Sequence, residues 1–340
     1  MRYEAVTIKD IAKVLGLSTS TVSRALRDSY EISQETKKVV LEYAEKINYR
    51  PNPIAVSLKE RRTRSLGIIV CEIANSFFSQ VIDGIESVAY SKGYNVTFLQ
   101  SHESFEKEEL GLEYLASRSV DGILISVSTE TQDFSHIEKL YNKGLPIVFF
   151  DRIVDKIDTH KVIINNYKAA HSAITHLVEK GYKRIAYIAN SKYLTLTKDR
   201  LKGYQDVLID NNIKVNEDYI KYCNHGGMIN DEVEKVLNEL FALKQKPDAI
   251  FTASDKLTTG CLHYFKKHNI SVPEDVALVG FSNNENSDLF FPALTVLKQP
   301  AFEMGELATN YLLDMIESKK PVGKYETNIL ETTLIVREST

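Results

Sequence analysis

The sequence predicts an α/β fold in which a small helical head precedes a larger body made of two α/β lobes. Short helical segments occupy the first 48 of 340 residues. From residue 65 onward, apolar runs rich in β-branched residues alternate with amphipathic helices, a pattern typical of a parallel sheet covered by helices on both faces. The alternation restarts near residue 167, which predicts a second sheet and therefore a second lobe.

Three short helices make up the predicted head. Thr7 is a suitable cap for the first helix, and Gly16 ends it because glycine tolerates a left-handed backbone. Ser18 caps the second helix and Ser33 the third. Three helices of this size, with a tight turn between the first two, predict a helix-turn-helix. Their common core is expected to contain Ile8, Ile11, Ala12, Leu15, Val22, Ala25, Leu26, Val39, Val40, Tyr43, Ala44 and Ile47.

A short linker follows the head, so we divide the chain into a head at 1–50, a hinge helix and linker at 51–64, and a body at 65–340. Asn52 lies between two prolines and can cap a helix with Pro53 at its first position. The helical stretch is only about two turns long, well short of the roughly 12–15 residues that an isolated helix needs. We therefore expect it to become helical only when another surface packs against it.

The body is expected to hold a ligand between its lobes, lobe 1 at about 65–164 and 299–325, and lobe 2 at about 165–298 and 326–340. Ligands of open α/β sheets bind beyond the carboxyl ends of the strands. Amides, hydroxyls and a few charges there suit a polyhydroxylated small molecule, although exposed loops are polar in any protein. The segments concerned are 72–75, 100–102, 126–128, 151–152, 190–193, 254–255 and 282–284.

Charge is distributed unevenly along the chain. Residues 1–64 contain 13 Lys and Arg against 8 Asp and Glu, a net charge of +5, whereas the remainder carries −9. A basic head favours an anionic partner. The sequence has no membrane-length apolar run and no signal-peptide core at its N-terminus. Three widely spaced cysteines predict reduced thiols in a cytoplasmic protein.

The sequence lacks the motifs that mark common enzyme classes. It contains no G-x-G, and so neither a dinucleotide fingerprint nor a phosphate-binding glycine loop, and no G-x-S-x-G nucleophile elbow. Its histidines and cysteines show no metal-ligand spacing. We therefore expect a protein that is not an enzyme and uses no catalytic residue, metal or cofactor.

Segments along nearly the whole chain carry a family resemblance. With "TVSRAL" in the second helix and "YRPN" at the linker, the N-terminal 58 residues resemble the lac repressor/galactose repressor (LacI/GalR) family of bacterial transcription regulators. Body segments such as "FFDR", "KRIAYIAN", "RLKGY", "PDAIFTASD" and "VPEDVALVGFSN" follow the order typical of that family. The body also resembles the two-lobed (type I) periplasmic sugar-binding proteins, which bind their ligand between the lobes.

The resemblance implies that the head contacts DNA. Thr19 and Ser20 would read base edges, with Arg24 one turn on, as in other helix-turn-helix proteins. Leu58 corresponds to a leucine that wedges into the minor groove. A family arginine near it is replaced by Val56. The remaining expected contacts, mainly to the DNA backbone, are Thr7, Ser18, Thr21, Ser23, Arg27, Ser33, Tyr49 and Asn52.

The resemblance also implies an effector site in the body. Arg200 corresponds to a family arginine that binds sugar hydroxyls or a ligand carboxylate. Ser282 stands where many members have an aspartate that takes two ligand hydroxyls, and a serine is a weaker acceptor, so the ligand class stays open. With no tryptophan in the chain, stacking on a sugar ring would use Phe or Tyr. The other expected contacts are Asn75, Phe77, Phe78, Ser126, Asp151, Ser254 and Gln299.

Taken together, the resemblance implies a cytoplasmic homodimer that binds a pseudo-palindromic operator, most often as a repressor, under the control of a small ligand such as a sugar or sugar derivative. No leucine-heptad tail follows "LIVREST", which favours a dimer over a tetramer. Two alternatives stay open: a sugar-converting enzyme fused to a DNA-binding head, and a sugar-binding module that has lost its DNA function.

Overall fold

The computed structural model describes residues 6–49, 62–318 and 323–340. The chain separates into two compact units, and the boundary lies between Arg64 and Ser65. Asn52 and Leu58, two of the expected DNA contacts, lie outside the described residues. Within those residues, none of the helices combines the length and the apolar composition needed to cross a bilayer.

The described part of the head, residues 6–49, contains three helices, α1 Ile8–Leu15, α2 Thr19–Ala25 and α3 Gln34–Lys46. The backbone N–H of Thr21 donates to the Ser18 hydroxyl at 3.0 Å, and that of Thr36 donates to the Ser33 hydroxyl at 3.2 Å. Both serines therefore cap the helices that the sequence assigned to them. Gly16 has a φ of 66°, which a residue with a side chain adopts at a cost.

The core of the head is small and drawn from all three helices. Its buried apolar side chains are Ile11, Ala12, Val22, Ala25, Val40 and Ala44. Val39, predicted to belong to it, is instead 46% exposed. Neighbouring residues on a helix point about 100° apart, so burial of Val40 turns Val39 toward the solvent.

Lobe 1 begins with alternating strands and helices. In chain order these are β1 Ser65–Val70, α4 Ser76–Ser91, β2 Asn95–Gln100, α5 Phe105–Ser117, β3 Gly122–Ile125, α6 Ser135–Tyr141, β4 Ile147–Phe150 and β5 Lys161–Ile164. Four of the five strands are buried, or nearly so, along their whole length, as expected for a parallel sheet covered on both faces.

Lobe 2 repeats the arrangement. Its elements are α7 Asn166–Glu179, β6 Ile185–Ala189, α8 Thr195–Asp210, β7 Ile220–Tyr222, α9 Asn230–Ala242, β8 Ala249–Thr252, α10 Asp255–His268, β9 Ala277–Phe281 and β10 Thr295–Lys298. The chain then returns to lobe 1 with α11 Ala301–Glu317 and ends in two short strands, β11 Thr327–Leu330 and β12 Thr333–Ile335.

Each lobe contains one six-stranded sheet. The strand order is β11-β5-β4-β3-β1-β2 in lobe 1 and β12-β10-β9-β8-β6-β7 in lobe 2. All neighbours are parallel except β10 and β12, which are antiparallel. The short antiparallel strand at the end of lobe 2 was not expected from the alternating pattern.

The placement of β11 corrects the lobe boundaries derived from the sequence, which assigned residues 326–340 to lobe 2. β11 pairs with β5 of lobe 1, with Asn328 opposite Val162 and Ile329 opposite Ile163. Only the residues after Leu330 join lobe 2. β11 is a half-exposed edge strand, so it carries no run of apolar residues from which its sheet could be inferred.

Helices α4 and α11 cover one face of the sheet of lobe 1 and approach each other closely at two glycines. A β-carbon on Gly84 would lie 2.1 Å from the carbonyl oxygen of Phe302, and one on Gly305 would lie 2.1 Å from that of Val81. Since the obstructing atoms belong to the backbone, no side-chain movement can make room. The helix spacing therefore depends on both glycines.

We expect Gly84→Ala to lower the free energy of unfolding by about 1–3 kcal/mol, because the added methyl forces the two helices apart. Urea unfolding followed by tyrosine fluorescence measures this in a chain without tryptophan. Gly111→Ala is the matched control, since its β-carbon would meet side-chain atoms no closer than 3.5 Å and alanine is the better helix former. Equal stability of the two variants would contradict the close-approach argument.

Candidate functional site

The start of helix α2 presents a cluster of hydroxyl groups. Ser18, Thr19 and Ser20 are exposed, and Thr21 and Ser23 are half-buried. The Ser18 hydroxyl lies 2.7 Å from that of Ser20 and 2.8 Å from that of Thr21. These short side chains form a polar surface at a helix N-terminus, which attracts phosphate through its free N–H groups and its dipole.

The other described DNA-contact residues are distributed around this cluster. Arg24, Arg27, Ser33 and Thr7 are exposed. The Thr7 amide and hydroxyl both donate to the Asp10 carboxylate, at 2.9 and 2.7 Å, and those two bonds hold the pKa of Asp10 below its usual value.

Tyr49 differs from these residues because its ring packs partly against the head core, and burial raises the pKa of its phenol. A protonated phenol is a hydrogen-bond donor, as a contact to a phosphate oxygen requires.

A cleft of about 420 Å³, counted with the solvent at its mouth, lies in the body and is lined by residues of both lobes. Polar residues at the carboxyl ends of strands supply most of its walls, as expected for open α/β sheets. Eight of the nine predicted effector residues line it, namely Asn75, Phe77, Phe78, Asp151, Arg200, Ser254, Ser282 and Gln299.

Ser126 is the predicted effector residue that the structure does not place in this cleft. It follows β3 and is fully buried, and its amide N–H donates to the Ile69 carbonyl as a continuation of the sheet. Its side chain is enclosed within lobe 1 and does not reach the cleft wall.

Arg200 is a buried cation in the wall contributed by lobe 2. Its Nε donates to the Asn166 side-chain oxygen at 2.8 Å, its Nη1 donates to the Ala253 carbonyl at 2.6 Å, and its guanidinium lies 3.6 Å from the centre of the Phe281 ring. Burial lowers its pKa to about 10, so it keeps its charge at neutral pH. Among the described residues, no carboxylate lies within ion-pair distance of it. The site is therefore suited to a ligand that offers oxygen acceptors.

Arg152 was not among the predicted contacts, yet it also lines the cleft. Its guanidinium makes two hydrogen bonds with the Glu103 carboxylate, Nη1–Oε2 at 2.6 Å and Nη2–Oε1 at 2.9 Å. Although burial alone would raise it, the Arg152 guanidinium holds the pKa of Glu103 below its usual value. This bidentate pair fixes the orientation of Arg152 at the cleft wall.

Two carboxylates from different lobes face the cleft. Asp151 follows β4 with a left-handed backbone, φ 57°, and burial raises the pKa of its carboxyl. Asp255 begins α10, and the Ser282 hydroxyl donates to its Oδ1 at 2.5 Å. Burial also raises the pKa of Asp255, against the lowering effect of that hydrogen bond. The chain thus has a carboxylate beside Ser282, where the family aspartate would stand.

Three buried polar atoms of the cleft residues have no hydrogen-bond partner among the described residues. They are the side-chain oxygen of Asn190, Nε2 of Gln299 and Nε of Arg152. Each unsatisfied buried polar group costs about 1–3 kcal/mol. A ligand that forms a hydrogen bond with one of these atoms removes that cost and so stabilises the complex. One acceptor and two donors together call for a ligand with both hydroxyl donors and oxygen acceptors.

Several side chains join the lobes across the cleft. Gln80 of lobe 1 and Asn283 of lobe 2 exchange two hydrogen bonds, at 2.8 and 3.0 Å. Lys256 of lobe 2 also lies 3.5 Å from Glu72 of lobe 1.

Two further contacts join the lobes. The Thr195 hydroxyl donates to the Asp155 carboxylate at 3.3 Å, and His225 lies 3.9 Å from Glu130. The lobes are therefore closed on each other at the rim.

The residues that sequence reasoning missed are Arg152, Asn190, Leu196, Ala253, Asp255, Phe281 and Asn283. Four of them, Arg152, Asn190, Asp255 and Asn283, belong to the polar strand-end segments, so the segment pattern was a usable signal. Among the described residues, no group of three His, Cys, Asp or Glu is arranged to bind a metal ion.

We expect Glu103→Gln to lower the free energy of unfolding at pH 7 by about 3–5 kcal/mol, because it breaks the buried bidentate pair and leaves Arg152 only the looser contact of its Nε with Asp151, at 3.8 Å. The folded pKa of Glu103 is below the unfolded value near 4.5, so its stabilisation is complete above that value and is lost as pH falls through the folded pKa. The gap between wild type and variant should therefore stay constant from neutral pH to about pH 5 and shrink in more acid solution.

Urea unfolding across this pH range measures the gap. The exposed Glu106 supplies the control variant, Glu106→Gln, which removes the same charge three residues further on, in the first turn of helix α5. A gap that did not change with pH would show that Glu103 stabilises the fold without its charge.

Comparison with known proteins agrees with the two-part architecture. Residues 7–52 match the family described as bacterial regulatory proteins, lacI family, and residues 174–340 match the periplasmic binding protein-like domain. Among solved structures, the transcriptional regulator CelR–cellobiose complex has a TM-score of 0.72 at 28% identity, covering 98% of this chain and 100% of the other. The lac repressor dimer bound to operator and the anti-inducer ONPF shares the fold, with a TM-score of 0.83 at 23% identity over 99% of both chains.

Curated sequences extend the likeness over the chain. The HTH-type transcriptional repressor PurR of Vibrio cholerae is 31% identical over 314 residues, or 92% of each chain. The probable HTH-type transcriptional regulator EndR of Paenibacillus polymyxa is 31% identical over 339 residues, or 98% of each. The predicted fold class and family resemblance are confirmed: the chain belongs to the lacI family of bacterial regulatory proteins.

Proposed function

We propose that this protein is a cytoplasmic transcription repressor that binds a palindromic operator as a homodimer and is controlled by a small ligand in the interlobe cleft. The observation that carries the proposal is the presence, in one chain, of a hydroxyl-rich recognition helix and a cleft with unpaired buried polar groups. A head with that helix suits DNA, and a cleft of that kind suits a polar small molecule.

The head would read DNA through α2. Thr19 and Ser20, exposed at its start, are short enough to bring the helix close to base edges in the major groove. Ser18, Thr21 and Ser33 would donate to phosphates, which sets the register without reading the sequence. The Ser18 hydroxyl already bonds to those of Ser20 and Thr21, so contact with DNA would exchange those bonds for new ones at little net cost.

The ligand would be a sugar or sugar derivative. Arg200 and the Gln299 amide supply donors for its oxygens, and Asp151 and Asp255 accept from its hydroxyls. Phe77 and Phe78 provide apolar surface for a ring face. CelR, which shares 28% identity with this chain, is named as a complex with cellobiose, and this supports a carbohydrate ligand.

Ligand binding would alter DNA affinity by changing how the lobes close. Groups from both lobes line one cleft, so a ligand that bridges them favours the closed arrangement over an open one. A change in lobe angle would be passed to the segment that links body and head and shift the fraction of protein competent for DNA. The coupling is reciprocal, and operator DNA must therefore alter ligand affinity by the same factor.

A homodimer is supported by an apolar surface on lobe 2. Phe291 is fully exposed and Leu289 is 77% exposed beside a groove that includes Leu262, Val272 and Phe290. Exposed apolar side chains grouped in this way are typical of a protein interface. We propose a second copy as the occupant, since one head carries one recognition helix and a palindrome requires two related by a two-fold axis.

A sugar-converting enzyme is the alternative, and the comparisons favour the regulator. The similar proteins PurR and EndR are both named as transcriptional regulators.

Selection from random-sequence DNA by the full-length protein tests the proposal. We expect a single enriched sequence with two-fold symmetry, because each half-site would meet an identical head. If no sequence were enriched, sequence-specific DNA recognition would be refuted. If the enriched sequence had no symmetry, the homodimer would be refuted.

We expect Arg200→Ala to weaken binding of the effector by about 10- to 100-fold, since it removes charge-assisted hydrogen bonds. A thermal-shift screen of sugars, sugar phosphates and sugar acids, beginning with cellobiose, identifies the ligand, and calorimetry then measures its affinity. Affinity for the selected DNA should be unchanged in the absence of ligand.

Lys198→Ala, on the exposed side of the same helix α8, removes one positive charge outside the cleft and serves as the control. Equal loss of ligand affinity in both variants would mean that Arg200 acts only through overall charge. Unchanged affinity in Arg200→Ala would remove this residue from the site.

A further inference from the structure

Arg24, the arginine of the recognition helix, is held by an acidic residue of the following loop. Its Nη1 lies 2.9 Å from Oε2 of Glu31, and the two side chains are 56% and 44% exposed. A guanidinium has five N–H donors, so this single contact leaves the donors on Nε and Nη2 available to another group. Glu31 was not among the residues expected to take part in DNA recognition.

The loop that carries Glu31 is anchored at several points. The Ser29 amide donates to the Arg24 carbonyl at 3.0 Å, and the Ile32 amide donates to the Ser29 carbonyl at 3.2 Å. Asp28 accepts from the buried Lys37 ammonium through both its carboxylate, at 2.6 Å, and its carbonyl, at 3.3 Å. The side chain of Ile32 packs against the core of the head. The backbone at Glu31 is therefore tied to the helix that bears Arg24.

From this geometry we infer that Glu31 is a specificity-determining residue of the head, whose carboxylate positions the Arg24 guanidinium for a base edge and restrains it from binding phosphates. The inference rests on the proposed DNA-binding function and adds a residue to it. The inference assigns part of the sequence specificity to an acidic side chain, which repels DNA and therefore does not itself contribute to affinity.

The physical basis is competition between two acceptors for one flexible cation. An unrestrained arginine on a DNA-facing helix pairs with any phosphate within reach, which raises affinity for all sequences alike. The Glu31 carboxylate occupies one nitrogen of the Arg24 guanidinium. Its negative charge also repels a phosphate that approaches the same guanidinium. A base edge that accepts two hydrogen bonds in one plane is a better partner for the remaining donors. Glu31 therefore lowers non-specific affinity more than specific affinity.

Removing the carboxylate should change the salt dependence of non-specific binding. With Glu31→Gln, we expect affinity for a random-sequence duplex to rise at low salt. Freeing Arg24 for one phosphate steepens the plot of log affinity against log salt by about 0.9 for each head bound. Between 50 and 200 mM salt, the affinity of the variant then falls by about 3.5-fold more per head than that of wild type. The ratio of specific to random-sequence affinity should fall roughly threefold, the scale of an exposed ion pair.

Fluorescence anisotropy with the full-length protein measures both affinities. One probe is a random-sequence duplex, and the other is the duplex enriched from random DNA by wild type. Two further variants separate the ion pair from net charge. Glu45→Gln removes the same charge from an exposed residue of α3 that forms no ion pair among the described contacts. Glu31→Asp keeps the charge but shortens the side chain by one methylene, which breaks the 2.9 Å contact.

The inference predicts that Glu31→Asp lowers the affinity ratio, as Glu31→Gln does, and that Glu45→Gln leaves it unchanged. It is overturned if Glu45→Gln matches Glu31→Gln, or if Glu31→Asp matches wild type, since either result assigns the effect to net charge. It is also overturned if the salt slope on random DNA is the same in Glu31→Gln and wild type. Thermal melting of each variant verifies that the head is folded.

Failure of the underlying function gives a different result. If wild type enriches no sequence, the proposed repressor function fails, whereas the slope on random DNA still reports whether Glu31 restrains Arg24. If wild type enriches a palindrome and the ratio is unchanged in Glu31→Gln, only the role of Glu31 fails.

Discussion

Three passages of the chain between the lobes form the constraint on which the cleft depends. They lie between β5 and α7, between β10 and α11, and between β11 and β12. The first and third passages are tied to each other, because the Asn165 amide in the first donates to the Leu330 carbonyl beside the third at 2.9 Å. Gln299 lies in the second passage and also lines the cleft. A ligand that binds Gln299 therefore contacts the segment about which the lobes would move.

The two arginines of the cleft differ in what balances their charge. Arg152 forms a bidentate ion pair with Glu103, whereas the direct contacts of Arg200 are neutral oxygens and an aromatic face, and Asp151 acts on it only from beyond ion-pair distance. Burying a charge without an ion-pair partner is costly. The buried guanidinium of Arg200 is tolerated because polar groups hydrogen-bond to it on several sides. Asp151 and Asp255 experience the same cost, seen in their raised pKa values. A ligand that hydrogen-bonds to these groups offsets that cost, which couples its affinity to closure of the lobes.

The sequence predicted the layered architecture well because hydrophobic periodicity reports which faces are buried. It also located Ser18 and Ser33 as helix caps, a property of local residues. Errors arose where long-range pairing decided the outcome. The partner of Arg152 is 49 residues away, and β11 looks alike whether it joins one sheet or the other. Ser126 shares its position after a strand with true cleft residues, and only the depth of its side chain separates it from them.

The contact between Arg24 and Glu31 could not have been read from spacing. The two residues are seven positions apart and belong to different elements, and they meet because the intervening Asp28 has a left-handed backbone, φ 52°, that turns the chain back. Patterns of charge along a helix apply only within the helix. An ion pair formed across a turn of this kind therefore cannot be predicted from charge spacing and is seen only in the structure.

The strand order has a consequence for synthesis of the chain. Neither sheet is continuous in sequence, since β11 completes one and β12 the other, both within the last 14 residues. The buried Ser339 hydroxyl also donates to the Leu278 carbonyl, 61 residues earlier. The described core of the head, by contrast, is built from residues of one short segment that precedes the body in the chain and is therefore synthesised before it. The part that carries the recognition helix is thus made of local contacts and suited to early folding, while the part that senses a ligand is completed last.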